Sequence, residues 1–246
     1  RQAAARRTQH LSAVFDEKWV GEVRQLIAAY DGVDSFGTDT HTAFIGFLQE
    51  MREGGDLLAR LDAAFGAIAQ VAGPQRVKTL KKKLRDISRP LTDYLGTVFE
   101  MLVVGPCAAA GWLKEYEPKV GKRYAEGLIV VEGVRLLLEA TVATTGRDLA
   151  GFQSIDLGEG TSRTRCKILD KAQQLQAAND PILLFLSPHH STVPPELKMG
   201  IAEAFQQDAC RRIAGVVVSD SYCVHHLRVA WNSSGCPVPI AARDRL

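Results

Sequence analysis

The sequence predicts an α/β protein, a layered sandwich around a mixed sheet, with an all-helical stretch ahead of it. Three observations lead there. Up to about residue 112, apolar residues recur at helical spacing and strand signals are almost absent. Short apolar runs of strand length then appear at 127–131, 134–142, 182–186 and 213–218. Helical stretches separate the later runs, an order that places helices against a sheet containing parallel strands.

The elements follow in order. Val14, Phe15, Val20, Val23, Leu26 and Ile27 mark a first helical stripe, closed by Asp31-Gly32. Phe44, Ile45, Phe47, Leu48 and Met51 mark a second, ended by Gly54-Gly55. Leu57, Leu58, Leu61, Phe65, Ile68 and Val71 mark a third, stopped by Gly73-Pro74. A short basic helix precedes Ser88-Arg89-Pro90, and a longer one runs from Pro90 to about Ala110. A charged segment containing Pro118 and Gly121 then leads to a hairpin, whose two runs are joined by Glu132-Gly133. A helix over 161–178 is expected to stop at Asp180-Pro181, followed by the continuous apolar strand 182–186. Pro194-Pro195 opens a helix to about Arg212, and strands are expected at 213–218 and about 223–230. The domain boundary is set at residue 88, with a helical region over 1–88 and an α/β domain over 89–246.

Composition bounds the function classes. With 246 residues, 24% of them charged and 46% hydrophobic, the chain suits one large globular domain or two small ones. The net charge of +2 is nearly balanced, so only local clusters of basic residues point to a polyanion. Arg76, Lys78, Lys81, Lys82, Lys83, Arg85 and Arg89 form one cluster, and Lys119, Lys122 and Arg123 a smaller one. Five cysteines without CxxC spacing fit reduced thiols and a cytoplasmic location. No apolar run approaches the roughly 20 residues of a membrane span, so no membrane partner is expected. The N-terminal RQAAARRTQH lacks the apolar core of a secretory signal; it begins with Arg, so upstream sequence is expected.

The acids in apolar settings draw the argument to a site. Glu139 stands among Leu136, Leu137, Leu138 and Val142, and Glu126 opens the preceding strand. A carboxylate there bears a desolvation cost unless a cation or donors meet it. A hairpin would bring Glu126 and Glu139 together at its open end, and converging carboxylates suit a hard cation such as Mg²⁺ or Mn²⁺. The alternative is a partly exposed sheet face carrying ordinary acids. Glu100 interrupts the apolar VFEMLVV of the long helix. Lys167, Lys171 and Gln174 recur at i, i+4 and i+7 and share a helix face. Lys81, Lys82 and Lys83 read either as a solvated helix face or as a phosphate contact.

This succession resembles the PD-(D/E)XK, or restriction-endonuclease-like, superfamily over roughly residues 90–230. The resemblance lies in a helix with an inward Glu, an acid opening one strand, a Glu in the next, and a helix bearing K-A-Q-Q-L before an apolar strand. It implies a three-layer sandwich with a central mixed sheet. It also implies a metal-dependent nuclease acting on nucleic acid, with DNA the favoured substrate. Glu126 would take the place of the motif's Asp, Glu139 that of its second acid, and Glu100 that of an acid on the first helix. Mg²⁺ would be held by Glu126, Glu139 and the carbonyl of Ala140. The motif's lysine is missing, since Thr141 follows Ala140; Lys171 or Lys167 would stand in from the following helix, with Gln174 beside them. Lys122, Arg123 and Lys167 would join Lys81, Lys82 and Lys83 in contacting nucleic acid. The helical N-terminal region would serve as a binding arm or a homodimer contact. Two further readings stay open: a degenerate nuclease fold that binds nucleic acid or protein without cutting, favoured by Thr141, and a helical interaction module fused to a structural α/β domain.

Other chemistries find less support. His189-His190 and His225-His226 are adjacent pairs, which point different ways along a strand. No GxSxG, GxxxxGK[ST] or GxGxxG occurs. Cys107 and Cys210 read as packing residues.

Overall fold

The structure, a computed structural model, describes residues 9–19, 21–22, 25, 55–86, 91–142, 159–188, 194–219 and 227–246. The expected helix through Phe44 and Met51, both histidine pairs and Cys223 lie outside the described residues.

Among the described residues ahead of the sheet are a 3₁₀ turn at Leu11–Ala13, helical residues over 17–19, and the helices α1 (Gly55–Val71), α2 (Pro74–Arg85) and α3 (Leu91–Ala109). The expected stop at Gly73-Pro74 divides α1 from α2, with Pro74 in the first turn, where its missing N–H costs nothing. The 3₁₀ turn is tied to α1 by buried Asp62, whose Oδ1 accepts from the backbone N–H of His10 at 2.9 Å and of Leu11 at 2.6 Å. Asp62→Ala is expected to cost about 1–2 kcal/mol in urea denaturation, because it strands two amides. Asp62→Asn keeps an acceptor and should cost less.

The strands are β1 (Leu113–Tyr116), β2 (Lys119–Val120), β3 (Arg123–Tyr124), β4 (Gly127–Val131), β5 (Val134–Val142), β6 (Ile182–Ser187), β7 (Ile213–Ser219) and β8 (Leu227–Trp231). Six of them form one mixed sheet in the order β1-β4-β5-β6-β7-β8. The β5–β6 and β6–β7 pairs are parallel and the others antiparallel. The β4–β5 hairpin turns at Glu132 and Gly133, both at positive φ (48° and 76°), the geometry a two-residue turn needs to match strand twist. Among the described residues no helix is long and apolar enough to cross a membrane.

Helices cover both faces of the sheet. On one side α1 and α3 pack Leu61, Phe65, Val98 and Phe99 into a core with Ile129, Leu136, Leu138 and Phe185. On the other, α4 (Glu159–Gln174) and α5 (Pro194–Phe205) pack Ile168, Ala172 and Ile201 against Leu128, Leu137, Leu184 and Val216. Alternate residues of β5 therefore serve opposite cores, as the two-residue repeat of a strand requires.

The structure differs from expectation at three places. Segment 113–124 contains β1, β2 and β3, which charge and brevity hide in the sequence. β1 exists because it pairs with β4, Leu113 against Ile129 and Tyr116 against Gly127. The helix expected to reach Arg212 ends at Phe205. Gln207 adopts extended backbone (φ −87°, ψ 135°) before a 3₁₀ turn at Asp208–Arg212. The last helix, α6 (Ile240–Arg243), lies beyond any expected element.

Candidate functional site

The hairpin register decides which acids meet. Gly127 pairs with Leu138 and Leu128 with Leu137, so the register carried one residue further sets Glu126 opposite Glu139. The Glu126 N–H donates to the Leu138 carbonyl at 3.0 Å. Glu139 pairs with Leu184 of β6 and lies on the side of Leu137, facing the α4 layer. Ile168, Ala172 and Leu175 bury the inner stripe of α4, and Lys171 sits at the edge of that stripe. There it donates to Glu139 Oε1 in a short ion pair. Lys167, half-buried, and Gln174, exposed, make no polar contact with these groups.

A second group of charges adjoins the first. Tyr116, at the end of β1, donates its hydroxyl to Glu100 Oε1 of α3 in a short hydrogen bond. Lys83 of α2 lies 3.6 Å from Glu100 Oε2 and donates to Glu117 Oε1 at 3.0 Å. Arg76 donates to Glu117 Oε2 at 2.8 Å and to the Glu117 carbonyl at 3.1 Å. Glu117 is buried and left-handed (φ 51°), a conformation costly for a residue with a Cβ. The two bonds from Arg76 and the bond from the Glu117 N–H to the Glu126 carbonyl, 3.1 Å, hold it there.

The two groups act on each other electrostatically. Burial pushes the Glu126 carboxyl well above its usual pKa, and the charges of Glu100 and Glu139 push it further, against the pull of Lys171 and Lys83. Burial also raises Glu139, although Lys171 opposes it. Desolvation works against the Lys83 ammonium, but Glu100 and Glu117 outweigh it and the pKa is raised. Burial and then Glu100 keep the Tyr116 hydroxyl protonated, so it remains a donor. Among the described residues, four carboxyls (Glu100, Glu117, Glu126 and Glu139) meet three cations (Arg76, Lys83 and Lys171).

Carboxylate oxygens are the donors a hard divalent cation prefers. Glu139 Oε2 is buried with no hydrogen-bond partner, and Glu126 stands across the ladder from it. As the side chains stand, no group of three or more His, Cys, Asp or Glu among the described residues could hold a metal ion. Two acids with an orphaned oxygen, rather than a finished cage, are therefore what the site offers. The side chain of Ala140 packs into the opposite core, so only its carbonyl can take part. Thr141 is buried two residues beyond Glu139 and supplies no cation; Lys171 brings one to Glu139 instead.

The remaining basic residues divide. Lys82 is exposed and Lys81 half-buried, whereas Lys83 turns inward to the acids instead of outward. Lys122 and Arg123 are exposed on the short β2–β3 hairpin. Sequence reasoning missed Glu117, Tyr116 and the inward role of Arg76. The acid in the EYEP segment was visible, but nothing in the spacing ties it to residues 41 and 34 positions earlier.

No family model and no curated protein matches this chain. Among solved structures, Pyrococcus furiosus SfsA in complex with Ca²⁺ is similar at 15% identity over 58% of this chain and 64% of that one, with a TM-score of 0.25. The match thus spans under two thirds of that protein's length, and a likeness this slight carries no argument.

Proposed function

We propose that this protein is a divergent PD-(D/E)XK nuclease, built as a restriction-endonuclease-like three-layer sandwich, that hydrolyses nucleic-acid phosphodiesters, DNA foremost, with Mg²⁺ or Mn²⁺. The observation that carries the proposal is the meeting of Glu126, Glu139 and Lys171, with one buried oxygen of Glu139 left unpartnered. Glu126, Glu139 and the carbonyl of Ala140 would hold the ion. Bound there, it would polarise a phosphate oxygen and make water more acidic. Lys171 would offset negative charge on a nonbridging phosphate oxygen, the work the resemblance assigns to the missing motif lysine. Glu100, fixed by Tyr116 and Lys83, would orient water from the side of α3.

The test is incubation with plasmid, linear DNA and RNA in Mg²⁺ or Mn²⁺. Glu139→Ala is expected to abolish cleavage, whereas Glu203→Ala, on α5 and outside the cluster, should leave it unchanged. A wild-type protein that cuts none of these substrates sinks the proposal.

A second reading, a degenerate nuclease fold that binds without cutting, draws on a specific observation. Glu100, Glu117 and Glu139 are already met by Tyr116, Lys83, Arg76 and Lys171, so an incoming ion must compete with protein cations. Nucleic-acid binding indifferent to EDTA, with no products, would favour it.

A further inference from the structure

The short hairpin over 119–124 enters the core only through Val120. Lys119 pairs with Tyr124 and Val120 with Arg123. Val120 is buried among Leu128, Leu175 and Ala178, which anchors the hairpin. Gly121 turns at φ 59°, and a Cβ there would come within 2.9 Å of the Ala177 side chain, so the tip rests against the residues that follow α4. Around this anchor Lys119, Lys122, Arg123 and Tyr124 are all exposed. Among the described residues, Lys119, Lys122 and Arg123 have no carboxylate partner.

Tyr124 is the unusual member. Tyr124 is 51% exposed, and the Arg76 guanidinium lies over its ring, 4.3 Å from the centroid. Arg76 is itself held by two bonds to Glu117, so the ring is backed by a cation that is not free to move. An exposed tyrosine alone is ordinary. An exposed ring on an anchored hairpin, beside three uncompensated cations and two residues from Glu126, is a combination with a specific use. Two residues of extended chain span roughly 7 Å, so a nucleotide seated on the ring has its phosphates close to the acids.

We propose that the 119–124 hairpin grips single-stranded nucleic acid, Tyr124 stacking on an unpaired base while Lys122 and Arg123 take the flanking phosphates. The inference rests on the nuclease reading for its substrate class, but it requires neither a metal ion nor cleavage. A duplex keeps its bases stacked on one another and offers the ring only backbone, whereas a single strand or frayed end offers a base face. The cations also offset the repulsion between phosphate and the neighbouring acids.

The test is fluorescence anisotropy with a short labelled single strand, as DNA and as RNA, and the matching duplex, all in EDTA. The wild type should prefer the single strand. Tyr124→Ala and Tyr124→Leu should weaken single-strand binding roughly 5- to 100-fold, while Tyr124→Phe keeps it. Replacing both Lys122 and Arg123 by Ala should reduce the magnitude of the single-strand salt slope by about 1.4. Equal affinity for duplex, or wild-type binding by both Tyr124→Ala and Tyr124→Leu, overturns the inference. Tyr124-dependent binding without cleavage in Mg²⁺ or Mn²⁺ leaves the hairpin inference standing and removes the nuclease reading. Cleavage by the wild type, with single strands bound and cut equally well by Tyr124→Leu, does the reverse.

Discussion

Lys171→Met is expected to lower stability by about 3 kcal/mol at neutral pH, read as a shifted urea midpoint, and to abolish any cleavage. Lys171 is the cation hydrogen-bonded to Glu139, whose side chain is only 4% exposed, and one oxygen of that carboxylate has no partner even with the lysine present. Without the ammonium, Glu139 either remains charged in a desolvated place or takes up a proton. Both cost free energy at neutral pH. The loss should shrink as the solution is acidified, because protonation of Glu139 is then no longer penalised. The double variant Glu139→Gln/Lys171→Met should recover most of the stability while staying inactive, since it removes the stranded charge but not the need for one. Lys171→Arg keeps a cation and should fall between. A Lys171→Met protein with the wild-type midpoint would show that the ion pair does not hold the site together.

Glu126→Gln is expected to raise the melting temperature at pH 7–8 and to abolish cleavage. The sign follows from the raised carboxyl. The native state holds the Glu126 proton to higher pH than the unfolded chain, whose value is near the ordinary 4.5. Over the window from 4.5 up to the elevated native value the native state binds more protons, so stability falls as pH rises. Glutamine bears no such penalty. The difference between variant and wild type should therefore be largest at neutral pH and vanish below about pH 4, where the carboxyl is protonated in both states. Glu139 is raised as well, and the pair titrates together, so the wild-type profile belongs to both acids. The raised carboxyl gives a second measurement. A divalent ion binds the ionised form, so calorimetric titrations in buffers of different ionisation enthalpy, run within the window where the native state holds more protons, should show a release that Glu126→Gln lacks. A melting temperature unchanged by Glu126→Gln from pH 4 to 8 would contradict the raised carboxyl.

What the sequence determined by itself is what short-range chemistry determines. Glu132-Gly133 is a turn because glycine takes positive φ at no steric cost, and the runs either side are long enough to pair. Gly73-Pro74 separates two helices because proline fits only the first turn of the second. The improbability of bare acids in apolar runs singled out Glu100, Glu126 and Glu139, and the structure gathers all three. Only the tertiary structure decided which partners those acids receive. Lys83 turns inward to Glu117 and Glu100, Lys171 rather than Lys167 reaches Glu139, and Glu117 joins at all because α2 and β1 pack beside the hairpin. Charged side chains carry no local signal of direction. A lysine on a helix face is indistinguishable from its neighbour one turn away until another element, dozens of residues distant in the chain, brings a carboxylate within a few ångströms of one and not the other.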